Sequence, residues 1–289
     1  MLKNLFSKQL RCKHRHTEAT HPKCFRDGKP IDSAERPEQK VLLFDIETSP
    51  ITVFSWGVHQ QYINPDAVQA DWFILSWSAK WLYSPNVMYG VVTPPEAVSK
   101  DDSRIVKSLW ELFNEADIII GHNAKGFDIP KTNTRFLFHK LVPPKPYQVV
   151  DTLSTLRSKF GFTSNKLDYV NRMLGIDEKT PTSLSLWLDS MRGDVTALKN
   201  LVKYNMNDVE ILEELYIRIR GWIPNHPNMG LYLEAESLVC PNCGSDSVVL
   251  SGEYMTQINS YEVFKCKECG ANCRSTKATK RKKEILKAC

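Results

Sequence analysis

The run Val41-Leu42-Leu43-Phe44-Asp45-Ile46-Glu47-Thr48 constrains this chain more than any other stretch, because a strand-like apolar segment carries two carboxylates. Side chains on a strand alternate between its faces, so Asp45 and Glu47, two apart, point the same way. Two like charges beside Val41, Leu43 and Ile46 repel and are poorly solvated, unless a cation neutralises them or they share a proton. A strand end emerging into solvent is the plain alternative. Further carboxylates converging on the same point would decide for a metal.

A chain of 289 residues can bury a sizeable core and fits one large domain with a smaller one. No apolar run approaches the roughly 18 residues needed to span a bilayer. Met1 to Leu10 alternates lysines with apolar residues and lacks a signal peptide's apolar core, so the expectation is a cytoplasmic protein without a membrane partner. The net charge of +5 is segregated: residues 1–31 hold eight Lys+Arg against two Asp+Glu, residues 265–289 nine against two, and the middle 21 against 29. An acidic body between basic ends suits a nucleic-acid binder whose centre is itself carboxylate-rich, although solvated tails give the same counts.

Alternation of helix and strand begins after an antiparallel meander read over Ile51–Gly57, Trp72–Leu82 and Val87–Val92. A helix over Asp101–Ala116, capped by Asp101 or Asp102, leads to a short apolar strand, Asp117–Ile120. The loop Gly121–Pro130 follows, then a helix to His139, a strand over Tyr147–Val150, and helices over Asp151–Lys159 and Ser164–Leu174. A polar interval with Pro181 and Trp187 precedes a long helix that Asp194 caps and that ends at Gly221 and Pro224. Such alternation implies parallel pairing and an α/β sheet covered by helices. Asp128 lies beyond a parallel strand's carboxyl end, where α/β proteins place their sites, although taken by itself a helix cap is the plainer account. Tyr204 and Asp208, four apart, share one helix face, which also describes a tyrosine packed beside a surface aspartate.

Of eight cysteines, four fall as Cys240-x2-Cys243-Gly and Cys266-x2-Cys269-Gly, 22 residues apart, which in a cytosolic chain reads as zinc rather than disulfide. The pattern resembles a zinc ribbon over residues 239–275, closed by four thiolates and therefore structural, with a redox pair as the alternative. Cys273 is a substitute ligand and Cys289 a free thiol. Lys277, Lys280, Arg281, Lys282 and Lys283, with Tyr254, Tyr261 and Phe264, offer phosphate contacts and base stacking; a ribbon docking on a replication or repair protein fits the same residues. Near the N-terminus, Cys12, His16, His21 and Cys24, with His14 as a spare, suit zinc, against the alternative of a disordered basic arm over residues 1–39. The segment Pro30–Lys40 and residues 223–238 read as linkers, and residues 276–289 as a basic tail.

Asp45-x-Glu47, Asn123-x3-Phe127-Asp128 and Tyr204-x3-Asp208, in that chain order, resemble the three exonuclease motifs of the DEDD superfamily, tyrosine subclass. Asn165 to Val170, leading to Leu174-Gly175-Ile176, is similar to that family's helix before the third motif. The resemblance covers residues 40–222 and is nearest to stand-alone exonucleases of bacteria and their phages. It implies a ribonuclease-H-like mixed sheet flanked by helices and a 3′→5′ exonuclease acting on DNA or RNA through two Mg²⁺ or Mn²⁺ ions. By that resemblance Asp45 bridges both metals, Glu47 and Asp208 complete one site, Asp128 holds the other through water, and Tyr204 orients the attacking water. His122 and Asn123 touch the terminal nucleotide or position Asp128, with a turn hydrogen bond as the alternative for Asn123, and Asp151 and Asp168 are structural. The substrate is read as single-stranded or 3′-ended DNA. A structure-selective endonuclease with the same site, or a non-catalytic nucleic-acid-binding adaptor, are the competing functions.

Overall fold

The computed structural model describes residues 39–59, 62–176, 182–233 and 238–279, with the backbone of Phe25–Arg26 and Lys29–Pro30 as a two-residue ladder. The N-terminal zinc set, Cys12, His16, His21 and Cys24, lies outside the described residues, as do Cys289 and the tail from Lys280 onward. Two compact units result: Gln39–Ile219 with Ile223–Pro227, and a second that includes Arg220–Trp222 and residues 228–279.

The larger unit contains strand β1 (Val41–Thr48), β2 (Ile74–Trp81) and β3 (Val87–Val91), helices α1 (Pro94–Ser99) and α2 (Ser103–Glu115), strand β4 (Ile118–Gly121), helix α3 (Asp128–Phe138), strand β5 (Gln148–Asp151), and helices α4 (Thr152–Lys159), α5 (Leu167–Leu174), α6 (Leu184–Met191) and α7 (Val195–Ile219). Its sheet runs β3-β2-β1-β4-β5, antiparallel among β3, β2 and β1 and parallel from β1 through β4 to β5. The central strands β1 and β4 are accordingly apolar almost throughout, because both their faces are covered.

Alternation on β1 sorts the layers. Phe44 meets Phe113 of α2 edge-on at 4.9 Å, and Phe113 meets Phe136 of α3 at 5.5 Å, so α2 and α3 cover the even-numbered face. The odd-numbered face, with Leu43, Asp45 and Glu47, looks toward α7, whose Asn205 reaches Asp45. A buried ion pair, Lys80 Nζ to Glu213 Oε2 at 2.7 Å, ties β2 to α7, and Glu213 Oε1 accepts the backbone N–H of Tyr83 at 2.7 Å.

Asp102 occupies the N-cap position of α2 but does not cap it. Asp101 supplies the local bond instead, accepting the Ser103 N–H at 2.9 Å. Asp102, fully buried, accepts from the Ile74 N–H at 2.8 Å and Arg135 Nε at 2.7 Å and pairs with His139 Nε2 at 2.6 Å.

Three elements depart from the sequence reading. Of Ile51–Gly57 only Thr52–Val53 is strand, paired with Val68–Ala70 outside the main sheet; its β-forming residues have no face to cover, and Trp56 is wholly exposed. The interval containing Trp187 holds α6, whose Leu184, Trp187, Leu188 and Met191 fall at helical spacing. Helix α1 starts at a capping box in which Thr93 and Glu96 bond each other's backbone, with Pro94 at its first position.

In the smaller unit β6 (Val248–Met255), β7 (Ser260–Cys266) and β8 (Asn272–Arg274) form an antiparallel sheet in that order. Two matching knuckles carry the cysteines: Gly244 N–H bonds Cys240 O at 2.8 Å and Gly270 N–H bonds Cys266 O at 3.1 Å. Both glycines sit at positive φ, 74° and 75°, a conformation that a side chain would strain.

Candidate functional site

The parallel ladder between β1 and β4 stops at Leu43, paired with Ile120, while β1 continues to Thr48. Beyond that point the edge of β1 faces the loop after β4, so Asp45 and Glu47 stand where the sheet opens. On the other side they pair with Ser78 and Ser76 of β2, both fully buried, whose small side chains leave the carboxylates room. Asp208 of α7 completes the group: carboxylate oxygens of Asp45, Glu47 and Asp208 all lie within 4.8 Å of one another. Asp208 is buried, and Tyr204, one turn earlier on the same face, is buried beside it.

Neutral donors orient the two carboxylates of β1. Asn205 Nδ2 donates to Asp45 Oδ2 at 2.6 Å, and Trp187 Nε1 of α6 donates to Glu47 Oε2 at 3.0 Å. The Trp187 ring also meets Tyr204 edge-on at 5.8 Å. Neither Asn205 nor Trp187 was singled out as a site residue from the sequence. Asn205 had a signal, since it lies three residues before Asp208 on the same helix face; Trp187 had none, because its role depends on how α6 packs. If Asn205 holds Asp45 in its working orientation, Asn205→Ala lowers metal affinity or turnover by about 10–100-fold. Manganese titration and steady-state kinetics would detect it, and a change below threefold, with the fold intact, would remove that role.

Asp128 lies outside the 4.8 Å group, at the first position of α3. Its Oδ1 faces the backbone N–H of Ile46, between Asp45 and Glu47, at 3.4 Å. The N-cap residue Phe127 makes no side-chain cap, and the Asp128 carboxylate takes the place of the strand partner that β1 lacks at Ile46. Burial pushes its carboxyl up to about 7, with the neighbouring Asp151 adding to the rise and backbone N–H groups opposing it. A folded-state pKa above the unfolded one means that the native state holds this proton more tightly. The stabilising contribution is therefore complete below about pH 4 and lost as pH rises through about 7. Asp128→Asn, which keeps the acceptor and removes the charge, should stabilise the metal-free protein at pH 8 by about 2 kcal/mol. Denaturant unfolding in the presence of chelator checks this; an unchanged or lowered midpoint at pH 8 would refute it.

The loop after β4 is held from below by Asp151. Its carboxylate accepts the N–H groups of Asn123 and Lys125, each at 3.1 Å, and caps α4 through Ser154 N–H at 3.2 Å. Asn123 takes a left-handed backbone, φ 69°, and Gly121 is needed beside it because a Cβ there would meet Ala124 at 2.6 Å. His122 turns inward, with Nδ1 2.9 Å from Thr152 Oγ1 and Nε2 2.9 Å from the Asn165 carbonyl. Asp168 sits half-buried in the first turn of α5, where the helix dipole favours a carboxylate.

Hard carboxylate oxygens converging from three positions, one buried, fit a divalent ion such as Mg²⁺ or Mn²⁺ rather than a soft one. The cluster of Cys240, Cys243, Cys266 and Cys269 offers sulfur instead, again within 4.8 Å. Its Cys240–Cys269 and Cys243–Cys266 sulfur pairs are both 3.6 Å apart. A tetrahedral zinc with bonds of about 2.3 Å needs edges of about 3.8 Å, so the donor set fits that ion. Cys273, on β8, stands outside the four. Among the described residues no helix is long and apolar enough to cross a membrane.

No curated protein matches the sequence. Among solved structures, the chain is similar to the family B DNA polymerase of the hyperthermophilic archaeon Pyrobaculum calidifontis, at 17% identity and a TM-score of 0.47, over 67% of this chain. The chain spans about a quarter of that polymerase, 25%. Residues 89–220 match the model of RNase_H_2, of the RNase_H superfamily, a stretch that includes Asp128, Tyr204 and Asp208 and begins after β1. A mixed five-stranded sheet flanked by helices, with that match running from β3 through α7, gives the larger unit an RNase H-like fold of nuclease type.

Proposed function

We propose that the chain is a metal-dependent 3′→5′ exonuclease of the DEDD type, tyrosine subclass, acting on DNA or RNA. The observation that carries this reading is the convergence of Asp45, Glu47 and Asp208 within 4.8 Å on an RNase H-like sheet. Binding alone gives no reason to gather three carboxylates against mutual repulsion, which weighs against an idle adaptor. Two Mg²⁺ or Mn²⁺ ions, when bound, supply a hydroxide at neutral pH and neutralise charge on the phosphate and the departing oxygen.

Asp45, Glu47 and Asp208 are the residues that hold these ions, with Asp128 contributing from the Ile46 side. The chain's other residues set orientation. Asn205 fixes Asp45, Trp187 fixes Glu47 and packs on Tyr204, and Tyr204 would direct the attacking water. Two internal bonds to the ring of His122 favour a role in holding the loop that carries Asn123 and Asp128. The cysteine cluster is read as a structural zinc site that folds a unit too small for a core of its own.

Oligonucleotides labelled at the 5′ end, with free or blocked 3′ termini, test the reading in Mg²⁺ or Mn²⁺. A ladder that shortens only from free 3′ ends is the expected result. Internal cuts in the blocked substrate would make it an endonuclease, and no metal-dependent cleavage of any substrate would end both readings.

A further inference from the structure

We propose that one face of the β6-β7-β8 sheet is a stacking platform for single-stranded nucleic acid; this rests on reading the chain as a nucleic-acid hydrolase. Strand register sorts the side chains. Tyr254 pairs with Tyr261, Gly252 with Val263, and Val263 with Arg274, while Lys265 pairs with Val249 and Asn272, so all of these share one face. The opposite face carries Glu253 paired with Glu262 and Phe264 paired with Cys273, and its Val248 and Cys273 pack against the cysteine cluster. Phe264, grouped with the two tyrosines on sequence grounds, therefore belongs to the inner face.

The outer face has the chemistry a single strand needs. Tyr254 is 52% exposed and lies directly across from Tyr261, giving two adjoining aromatic surfaces. The Arg274 guanidinium stands 4.2 Å from the Tyr261 ring centre and 5.9 Å from that of Tyr254, within cation–π range of both rings. Next to this group Gly252 leaves a gap: a Cβ there would find no atom within 4 Å. Among the described strand residues this face carries Arg274 and Lys265 and no carboxylate, whereas both strand glutamates lie behind it. A protein partner gains little from a bare glycine slot beside paired tyrosines. A base has a flat surface to stack on there, and its phosphate meets an arginine and a lysine.

The test uses the full-length, zinc-loaded chain carrying Asp45→Ala, so that probes are not consumed, and fluorescence anisotropy with labelled oligo-dT and oligo-U. Tyr254→Ala with Tyr261→Ala should weaken binding by at least about tenfold, whereas Tyr254→Phe with Tyr261→Phe should hold it near the parent value. Arg274→Ala should lower the salt dependence by about one phosphate contact. Leu250→Ala, on the inner-face register, should leave affinity unchanged. Should the alanine pair release zinc, Arg274→Glu on the exposed face serves in its place, with the same loss expected. Affinity within about twofold of the parent in the alanine pair and in Arg274→Glu overturns the platform, as does equal loss in the phenylalanine pair. No oligonucleotide binding at all also overturns it and leaves the face to a protein partner. Hydrolysis of thymidine 5′-monophosphate p-nitrophenyl ester in Mn²⁺, by the chain with Asp45 intact, tests the carboxylate site separately because that ester offers no strand to stack.

Discussion

Asp45→Ala abolishes metal-dependent phosphodiester cleavage, lowering turnover by at least about 10³-fold, or about 4 kcal/mol of transition-state stabilisation. Asp45 is the carboxylate with the most at stake in the proposed mechanism: it stands in the group with Glu47 and Asp208 and is held by the buried Asn205. Removing one carboxylate relieves like-charge repulsion and leaves the Asn205 amide without its acceptor, two effects of opposite sign, so the apo fold should persist. Thermal unfolding in chelator should therefore show a cooperative transition with a midpoint near that of the parent, while rates on 5′-labelled oligonucleotides fall to background. Retention of more than about a tenth of the parent rate would sink the assignment of Asp45 as a shared metal ligand. A collapse of the fold together with activity would instead make the carboxylate structural.

Asp102→Ala has the opposite signature, a loss of stability by about 3–5 kcal/mol. The substitution strips the partner from a buried Arg135 and leaves the Ile74 N–H without its acceptor. Denaturant unfolding of the zinc-loaded chain checks it. For a domain of this size the melting temperature should fall on the order of 10 °C. Replacing Asp102 and Arg135 together with leucines should recover much of the loss, since paired charges are costly to bury and apolar residues of similar volume are not. A drop below about 1 kcal/mol in the single variant would show that water, rather than Asp102, satisfies Arg135.

Asp45, Glu47 and Asp208 were legible because both relevant periods are short: two residues on a strand, four on a helix. The order of motifs then linked segments up to 163 residues apart. What escaped was anything set by a tertiary partner. Asp102 reads locally as a helix cap, and a cap rule looks three residues ahead; its true partners lie 28, 33 and 37 residues away. Ile51–Gly57 has the composition of a sheet strand, yet strand formation needs a face to cover and a neighbour to bond, neither of which composition reports. Trp187 fell in an interval read as polar, and only the packing of α6 brings its indole N–H to Glu47. Asp128 starts a helix, as read, but its reach to the Ile46 N–H across on β1 lies outside any local cap rule.

One pairing in the fold bears on how the site keeps its dimensions. Helix α7 is 25 residues long and carries Tyr204, Asn205 and Asp208, so the carboxylate group changes size if the helix slides along the sheet. Apolar packing alone resists such sliding weakly, because leucines and isoleucines repeat along the stripe and a one-turn slip of about 5.4 Å brings similar residues into the same hollows. Lys80 and Glu213 pair five residues beyond Asp208, and the positions four residues to either side of Glu213, Val209 and Ile217, carry no charge. The ion pair thus acts as an index pin: whatever it adds to stability, a four-residue slip of α7 would leave its two charges unmatched. The spacing of the proposed metal ligands is set by a charge contact farther along the same helix, between α7 and β2, and not by the ligands themselves.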